Sequence, residues 1–477
     1  MRILFVEDDE TFLPEIIPRL QLVAHPHELV VAKSRDSALT ALQDGFYDLI
    51  LLDLKIPTTD GALDEAVEHG QTVFYQARST AQGTPIYFLT GSSADEFVTD
   101  LFRDYADRDD VWGDRIPIPL IQMLRKTRVP EMLNELRVTA ACVAVTDEIE
   151  LPSHGQQLDL TPEQKRILRI FARRRNGHSC HVAALTGGLS DSRVFRITVE
   201  DSNGAQRITA VGKIADVSEV DDEISRYDRD VVRLRAGAFP QKVEVVRSGA
   251  KNSAGAFYRL LDGFNDSLFG LLERDSEKAA AAVDQVRQLM VPWTIAVPNS
   301  LRTVAQIRQR LLKDDKALEL IETYGLSWAK EMESKRIQTK WACLHGDLHG
   351  GNILVEGDGT PILIDFGDVG DGAAAIDPIT LEFSILFHPK FQHIRREWPP
   401  EIVATRWPEV EGFIEGCPCA NLIRSCRQWC HNVAAGDREV YASAYAYLLR
   451  QLKYQETDKK LILTLIESVR RSFDATY

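Results

Sequence analysis

Residues 345–355, together with residues 362–368, constrain this 477-residue chain more than any other part of its sequence. Asp347 stands five residues before Asn352, and Asp365 follows thirteen residues after Asn352, directly before a Phe-Gly pair. Phosphoryl transfer to a hydroxyl needs a carboxylate that orients the nucleophile, and it needs metal ligands so that the triphosphate is neutralised. Two aspartates and an asparagine at this spacing supply those groups.

This pattern resembles the catalytic core of the protein-kinase-like superfamily, and its His-Gly-Asp-Leu-His form is similar to the aminoglycoside and choline kinases. The resemblance implies that Asp347 is the catalytic base and that Asn352 and Asp365 bind Mg2+. His345 would brace the loop, and Asp377, in a later Ile-Asp-Pro segment, would steady it. It also implies ATP as the phosphate donor.

The sequence upstream of this loop fits the same family. Residues 185–192 contain two adjacent glycines and lie between two predicted strands, where glycines let backbone N–H groups approach phosphate oxygens. The resemblance implies that the nucleotide is bound there by Gly187, Gly188 and Ser190. Lys213, on the predicted strand over 208–214, resembles the lysine that contacts the α and β phosphates. Glu223, on the next helix, resembles the ion-pair partner of that lysine.

Three acidic residues follow predicted strands near the N-terminus. Glu7 and Asp8 come directly after one apolar strand, and Asp53 follows another. Continuous apolar strands that alternate with helices indicate a parallel sheet, and the carboxyl ends of its strands meet at one edge. Three carboxylates at that edge would repel one another unless a hard cation such as Mg2+ lies among them. One of them could then attack a phosphoryl donor and form an acyl phosphate.

These residues look like the receiver domains of two-component response regulators. The resemblance implies that Asp53 is the phospho-acceptor, while Glu7 and Asp8 hold Mg2+ directly or through water. The backbone carbonyl of Lys55 would be a further metal ligand. A cognate sensor histidine kinase is the partner that such a domain implies.

The same resemblance predicts a switch that responds to the phosphoryl group. Thr90 matches the hydroxyl residue that turns toward the phosphoryl group, and Trp112 stands where the family has its switching aromatic. The family places a lysine three residues after that aromatic, where this sequence has Arg115. Arginine keeps the charge of lysine but not its geometry.

The predicted fold class is a flavodoxin-like, doubly wound α/β receiver followed by a bilobal, α+β kinase-like domain. The predicted division is a receiver at 1–125, a helical linker or kinase extension at 126–177, an N-lobe at 178–262 and a helical C-lobe at 263–477. Residues 118–136 predict one helix, interrupted by Pro130, that leads out of the receiver. A second helix, which begins at Pro162, is similar to the start of a winged-helix DNA-binding domain. However, only about fifty residues separate 137 from the motif at 187, which favours a connector.

Charge and hydropathy limit the expected partners. The net charge is −15, and residues 1–125 hold 22 acidic against 10 basic residues, so the remainder is close to neutral. No basic block stands out, so nucleic acid is not an expected partner. No run of eighteen uncharged apolar residues predicts a membrane helix. The start of the sequence does not have the pattern of a signal peptide, which favours the cytoplasm.

The seven cysteines are an odd number, and four of them crowd between Cys417 and Cys430. Together with the start of the sequence, this favours a reducing compartment over a disulfide framework. Cys426 and Cys430 would share one helix face, with His431 adjacent. Their spacing does not match common zinc fingers, so core thiols and a zinc site stay open as two interpretations.

The two resemblances together predict a regulated enzyme. Phosphorylation of Asp53 would shift Thr90 and Trp112 and so alter the packing of the receiver on the kinase lobes or its assembly into a homodimer. The kinase half would transfer the ATP γ-phosphate to a hydroxyl. A small-molecule acceptor is favoured over a protein because no activation segment with Ala-Pro-Glu follows Asp365. The alternative is a phospho-switched scaffold, or pseudokinase, that binds nucleotide or a partner without catalysis.

Overall fold

The computed structural model describes residues 1–25, 27–90, 108–152, 158–184, 193–260, 263–264, 266–391, 394–395 and 398–476. The chain divides into two compact units, of which the first is Met1–Asp221 with Gln241–Leu260 and the second is Asp222–Pro240 with Leu261–Tyr477. Among the described residues, no helix combines the length and the apolar character that crossing a membrane requires.

The first unit begins with a parallel sheet of five strands. They are β1 (Arg2–Val6), β2 (Glu28–Ala32), β3 (Leu49–Asp53), β4 (Ile86–Thr90) and β7 (Ile121–Arg125). Strands β5 (Arg108–Asp109) and β6 (Ile118–Pro119) form a separate two-stranded pair. The described helices beside the sheet are α1 (Phe12–Ala24), α2 (Arg35–Asp44), α3 (Val67–Thr80) and α4 (Val129–Asp147). The strand order β2-β1-β3-β4-β7 is the flavodoxin-like doubly wound order, which confirms the predicted fold class.

Both faces of this sheet are buried. Alternate residues of β1 point into two different apolar clusters, with Leu4 in one and Ile3 and Phe5 in the other. Helix α4 adds Met132 and Leu136 to the second cluster. Continuous apolar strands are therefore explained by burial on two sides, as expected for a parallel sheet.

The prediction of one helix over 118–136 is wrong. Residues Ile121–Arg125 pair with β4 and form the last strand of the sheet, and the helix begins only at Val129. Pro130 lies in the first turn of α4, where its missing N–H needs no partner. The proline therefore marks the start of the helix and not an interruption.

An antiparallel sheet completes the first unit. Its strands, in the order β11-β12-β10-β9-β8, are β8 (Ser179–Ala184), β9 (Arg193–Glu200), β10 (Gln206–Asp216), β11 (Gln241–Val246) and β12 (Ser253–Arg259). Helix α5 (Pro162–Arg174) begins with a capping box between Thr161 and Gln164. Phe171 of α5 stacks on Phe257 of β12 with ring centroids 3.9 Å apart. This packing favours the connector interpretation over a DNA-binding domain, because α5 belongs to the core of the antiparallel sheet.

The parallel and antiparallel sheets are also joined directly within this unit. The Arg166 guanidinium of α5 lies 2.9 Å from the Asp48 carboxylate before β3, and both side chains are buried. The backbone N–H of Gly83 donates to the carbonyl of Lys251 at 3.0 Å, and the N–H of Gly249 donates to the carbonyl of Gly83 at 2.7 Å. The two sheets therefore share buried electrostatic and backbone contacts.

The second unit is mainly helical. Helix α6 (Val217–Arg229) contains the boundary between the units. The further described helices are α7 (Leu268–Arg274), α8 (Ser276–Thr294), α9 (Val304–Gln309), α10 (Asp314–Thr323), α11 (Ala329–Ser334), α12 (Ile376–Phe387), α13 (Glu401–Ala404), α14 (Val410–Phe413), α15 (Ala420–Val433), α16 (Asp437–Gln451) and α17 (Lys459–Ala475). Short strands form two antiparallel sheets, from β13 (Asp266–Ser267), β16 (Ile353–Val355) and β17 (Pro361–Leu363), and from β14 (Asn299–Thr303), β15 (Arg336–Leu344) and β18 (Gly370–Ala373).

Candidate active site and phosphorylation pocket

The candidate catalytic loop, residues 345–352, connects β15 to β16. Strand β18 pairs with the end of β15, and β17 pairs with β16. The strands that enter and leave the loop are therefore both held by partners. Asp365 lies on the connection from β17 to β18, so this pairing brings it beside the loop.

Asp377 braces the start of the loop. Its carboxylate accepts hydrogen bonds from the backbone N–H of His345 at 2.8 Å and of Gly346 at 2.9 Å. Complete burial raises the pKa of Asp377, while His345 and the two N–H donors act against that rise. An acidic residue at the first turn of α12 thus satisfies two backbone donors that would otherwise be buried without partners.

His345 and Asn352 tie the loop to the segment that carries Asp365. The His345 ring bonds the Ile364 carbonyl through Nε2 at 2.9 Å, and the Ile364 N–H donates to the Asn352 carbonyl at 3.0 Å. The Asn352 side chain donates through Nδ2 to the Asp347 carbonyl at 2.9 Å. These bonds link the predicted base, Asn352 and the segment that carries Asp365 in one connected network.

The Asp347 carboxylate has a charged neighbour far along the chain. Arg450, on α16, approaches Asp347 Oδ1 through Nη1 at 3.3 Å. Burial alone would lower the pKa of Arg450, but the charge of Asp347, together with Tyr454 and Tyr447, outweighs burial and raises it. Arg450 therefore stays charged beside the predicted base. No motif in the sequence connects these two residues, because 102 positions lie between them.

His349 lies on the other side of the same carboxylate. Its Nε2 is 3.8 Å from Asp347 Oδ2, and its Nδ1 accepts a hydrogen bond from the Gly351 N–H at 3.1 Å. Burial lowers the pKa of His349 to about 4, so the ring is neutral at pH 7. Because Nδ1 is an acceptor, the proton of the neutral ring is on Nε2, which faces Asp347.

Two backbone conformations shape the loop. Gly346 has φ of +85°, and a Cβ at this position would lie 2.3 Å from the Asp368 carbonyl oxygen. Only glycine fits there. Asp365 also has a positive φ, 62°, which is rare for a residue with a side chain and is common at functional sites.

A second cluster of acids lies at the carboxyl edge of the parallel sheet. Ligand oxygens of Glu7, Asp8 and Asp53 all lie within 4.8 Å of one another, and no other group of three metal-ligating side chains is this compact among the described residues. The sequence prediction that these three residues meet is in agreement with this geometry. Carboxylates at this spacing suit a hard divalent cation.

Lys126, directly after β7, faces the same carboxylates. Its Nζ lies 2.7 Å from Glu7 Oε2 and 2.5 Å from Asp53 Oδ2. Burial raises the pKa of Glu7 to about 7, the Asp53 charge acts in the same direction, and Lys126 opposes both. Burial would lower the pKa of Lys126, but Asp53 and Glu7 outweigh that effect and raise it. The cation therefore offsets part of the repulsion between two acids.

Thr90 and Lys55 lie beside Asp53. Thr90 ends β4, the neighbour of the strand that ends at Asp53. Its buried Oγ1 has no hydrogen-bond partner within the part of the chain that the structure describes. The Lys55 N–H donates to Asp53 Oδ1 at 3.1 Å, and the role of the Lys55 carbonyl stays a prediction.

A comparison with protein families covers the part of the chain that contains one of these two candidate sites. Residues 181–404, which include the candidate catalytic loop, match the model of the phosphotransferase enzyme family, APH. The chain carries a phosphotransferase domain of this type. The chain is also similar to the transcriptional regulatory protein DltR of Streptococcus agalactiae serotype III (strain NEM316), with 27% identity over 187 residues that cover 36% of this chain and 73% of the relative. DltR of a serotype V strain of the same species matches to the same extent.

Solved structures of both kinds are also similar to parts of the chain. An aminoglycoside-3'-phosphotransferase of type VIII is 16% identical, covers 61% of this chain and all of its own, and has a TM-score of 0.38. A thermostable mutant of aminoglycoside phosphotransferase APH(4)-Ia is 14% identical, covers 61% of this chain and 94% of its own, and has a TM-score of 0.33. A CheY-like response regulator receiver domain protein from Methanospirillum hungatei JF-1 is 20% identical, covers 29% of this chain and 95% of its own, and has a TM-score of 0.21.

The nucleotide-binding residues predicted for the phosphotransferase domain lie in different parts of the structure. Lys213 is on β10, in register with Val194 and Ala256. Glu223 is buried on α6. The predicted phosphate-covering residues, Gly187, Gly188 and Ser190, lie outside the described residues, so their role stays a prediction.

Two residues of the predicted receiver switch do not reach the acidic pocket. Trp112 and Val143 belong to one buried apolar cluster, and Met1, which precedes β1 at the end opposite Glu7, packs against that cluster. Arg115, with a positive φ of 64°, donates to the Arg174 carbonyl. Contrary to the sequence prediction, Arg115 therefore does not take the place of the family's lysine. The cation beside Asp53 is Lys126 instead.

The zinc interpretation of the cysteines between 417 and 430 finds no support in the described residues. The cysteines between 417 and 430, with His431, do not form a compact group of three or more ligands there. Cys426 and Cys430 are buried in α15, as the core-thiol interpretation predicts.

Proposed function

We propose that this chain is an ATP-dependent phosphotransferase that moves the γ-phosphate to a hydroxyl group, under the control of phosphorylation at Asp53. The observation that carries the proposal is the connected network around Asp347, Asn352 and the Asp365 segment within residues that match a phosphotransferase family. A cognate histidine kinase and a cytoplasmic location are part of the proposal.

In the catalytic step Asp347 accepts the proton of the acceptor hydroxyl. Arg450 pairs with Oδ1 of the Asp347 carboxylate and holds that oxygen in place, and the neutral His349 adds no second positive charge. Oδ2 is then the atom available to orient the hydroxyl. This arrangement supplies positioning, which is most of what phosphoryl transfer asks of a protein.

The residues present fit Mg2+ at this site. The Asn352 amide uses Nδ2 to hold the loop, which leaves Oδ1, an oxygen of the type that Mg2+ prefers, to act as a ligand. Asp365 is tied to Asn352 through Ile364 and offers a carboxylate. Bound Mg2+ would neutralise charge on the ATP phosphates. The role of Lys213 stays a prediction from the family resemblance.

The Asp53 pocket fits a receiver function. Glu7, Asp8 and Asp53 would hold Mg2+, and Asp53 would accept the phosphoryl group. The buried Thr90 hydroxyl, which has no partner among the described residues, would donate to a phosphoryl oxygen, and Lys126 would neutralise another.

A route to the antiparallel sheet begins at this lysine. Lys126 precedes α4 by two residues, and α4 ends at Asp147. The Asp147 carboxylate pairs with Arg166 and Arg169 of α5 at 3.2 Å each. Helix α5 packs in the core of the antiparallel sheet. A shift of Lys126 toward a phosphoryl group would therefore be transmitted to that sheet through α4.

The acceptor is proposed to be a small molecule with a hydroxyl. The form of the catalytic loop and the absence of an Ala-Pro-Glu segment after Asp365 support this choice over a protein acceptor. The proposal does not extend to the aminoglycosides named for the similar structures, because one fold serves many substrates.

Mg2+-dependent ATP consumption by the purified chain tests the catalytic half of the proposal. Turnover should vanish in Asp347→Ala and persist in Asp315→Ala, which removes an exposed carboxylate from α10. Equal turnover in wild type and Asp347→Ala would contradict the proposal. Absence of both turnover and nucleotide binding would favour the scaffold function instead.

A further inference from the structure

Two thiols lie side by side at the start of α15, in a Cys417-Pro418-Cys419 segment. Their Sγ atoms are 3.5 Å apart, and both cysteines are unpaired thiols. Cys419 is the N-cap residue of the fourteen-residue helix α15, so the pair lies at the positive end of a helix dipole. Neither thiol contributes to the phosphotransferase site described above.

The two thiols have different surroundings. The Cys417 sulfur is half-buried and lies 3.4 Å from the Cys419 N–H, which donates to it, and it also meets the Cys419 thiol. The Cys419 side chain is buried, with 1% exposure. Hydrogen bonding from Cys419 lowers the pKa of Cys417, whereas the Cys417 sulfur and burial raise the pKa of Cys419. One thiol is therefore suited to become a thiolate and the other to stay protonated beside it.

The other described cysteines offer no such pair. Burial raises the pKa of Cys426 and Cys430 well above the ordinary value. Cys142, in the first unit, is also half-buried, but burial raises its pKa and Asp114 acts in the same direction. The reactivity of a cysteine follows its thiolate fraction and its accessibility. By the first criterion Cys417 differs from all of these cysteines, and by the second it differs from Cys426 and Cys430.

We propose that Cys417 and Cys419 form a redox-active dithiol, with Cys417 as the attacking thiolate and Cys419 as the resolving thiol. A hydroperoxide is the oxidant. The Cys417 thiolate attacks one peroxide oxygen, the O–O bond breaks, and the leaving oxygen takes a proton and departs as water or an alcohol. Cys417 is left as a sulfenic acid.

The Cys419 sulfur then attacks the Cys417 sulfur. The S–O bond breaks, the Cys419 proton leaves with the hydroxyl as a second water, and an S–S bond forms. In total two thiols lose two electrons and the peroxide gains them. The sulfurs must approach by about 1.5 Å to reach a bond length of about 2.05 Å. Thioredoxin-type or small-molecule dithiols would reverse the reaction, so it is compatible with a reducing compartment.

Peptide mass spectrometry of the full-length protein tests this proposal. Tryptic cleavage after Arg406 and Arg424 gives one peptide that contains Cys417 and Cys419 and no other cysteine. After brief treatment with hydrogen peroxide and alkylation of free thiols under denaturing conditions, this peptide should carry no alkyl group and should be about 2 Da lighter than its dithiol form. A dithiol reductant should restore both alkylations.

Variants assign the two roles. Cys419→Ser should stop the disulfide and leave a sulfenic acid at Cys417 that dimedone traps, and Cys417→Ser should show neither product. In wild type, Cys417 should be oxidised about ten times faster than Cys142, and Cys142→Ser should leave the disulfide unchanged. Equal rates at Cys417 and Cys142, or peroxide treatment that leaves both thiols of the tryptic peptide alkylatable, would overturn the proposal. None of these readouts depends on phosphotransferase activity.

Discussion

At the level of single residues, each site depends on a cation placed against a carboxylate. Lys126 lies between Glu7 and Asp53, and Arg450 lies against Asp347. In both sites the acid is the residue that the motif predicts, whereas the cation comes from a distant part of the chain. Each cation pairs with one oxygen of Asp53 or Asp347, so the other oxygen of that carboxylate stays available to contact a substrate or a metal ion.

Lys126→Ala should lower phosphorylation of Asp53 by about tenfold or more, because it removes the cation that would neutralise a phosphoryl oxygen. Incorporation of phosphate from acetyl phosphate, resolved on a phosphate-affinity gel, measures this. Arg115→Ala is the matched control and should stay within about twofold of wild type, since Arg115 contacts the Arg174 carbonyl. If Arg115→Ala strongly lowered phosphorylation of Asp53 and Lys126→Ala did not, the assignment of Lys126 as the cation beside Asp53 would be contradicted.

His349 should make the second unit sensitive to acid. Its pKa is lowered by burial to about 4, whereas a histidine in an unfolded chain has a pKa of about 6.5. Its contribution to stability is therefore complete above pH 6.5 and falls as the pH drops toward 4, because the unfolded state binds the proton first. The loss is about 1 kcal/mol at pH 5.5.

Urea unfolding at pH 7.5 and pH 5.5 measures this difference. His349→Gln should show a smaller fall in the free energy of unfolding between the two pH values than wild type, whatever its stability at pH 7.5. An identical fall in both proteins would show that His349 does not titrate as its burial predicts.

At the level of elements, the catalytic loop depends on one backbone conformation. Gly346→Ala should reduce ATP turnover about 100-fold or more, because the new Cβ would meet the Asp368 carbonyl and displace the base by a fraction of an ångström or more. Gly359→Ala is the matched control. Gly359 also has a positive φ, +97°, but open space surrounds it, so that variant should lose about 1–2 kcal/mol of stability and keep its turnover. Equal turnover in both variants would refute the steric argument.

Some of these elements could be predicted from the sequence and others could not. The catalytic loop could, because its base, its metal ligands and the brace from Asp377 lie close together in the chain. The position of Lys126 could not, because the sequence over 118–136 predicts a helix, whereas the residues directly before Lys126 form a strand. Arg450 gave no signal, because its contact with Asp347 is created by packing of α16 and not by local spacing.

At the level of the whole chain, the receiver-like region and the antiparallel sheet form one compact unit. Arg166 is shared between Asp48 before β3 and Asp147 at the end of α4. Buried charges with one shared partner respond strongly to the loss of that partner. This arginine is therefore central to the joint between the two sheets.

Arg166→Met should lower the free energy of unfolding of the first unit by roughly 3–5 kcal/mol, because Asp48 would be buried without its partner. The double variant Asp48→Asn with Arg166→Met should be less destabilised than Arg166→Met alone, since no unpaired charge remains. Chemical denaturation followed by circular dichroism gives these values. Additive effects of the two substitutions would argue against a buried ion pair.

The most direct test of the account is the effect of beryllofluoride, a phosphoryl mimic, on Mg2+-dependent ATP consumption. In wild type the rate should change about fivefold or more, in either direction, when the mimic occupies Asp53. Asp53→Ala should consume ATP at the same rate with and without beryllofluoride. Asp347→Ala should show no ATP consumption. A wild-type rate that depends on Asp347 but ignores bound beryllofluoride would contradict control of the phosphotransferase by the receiver.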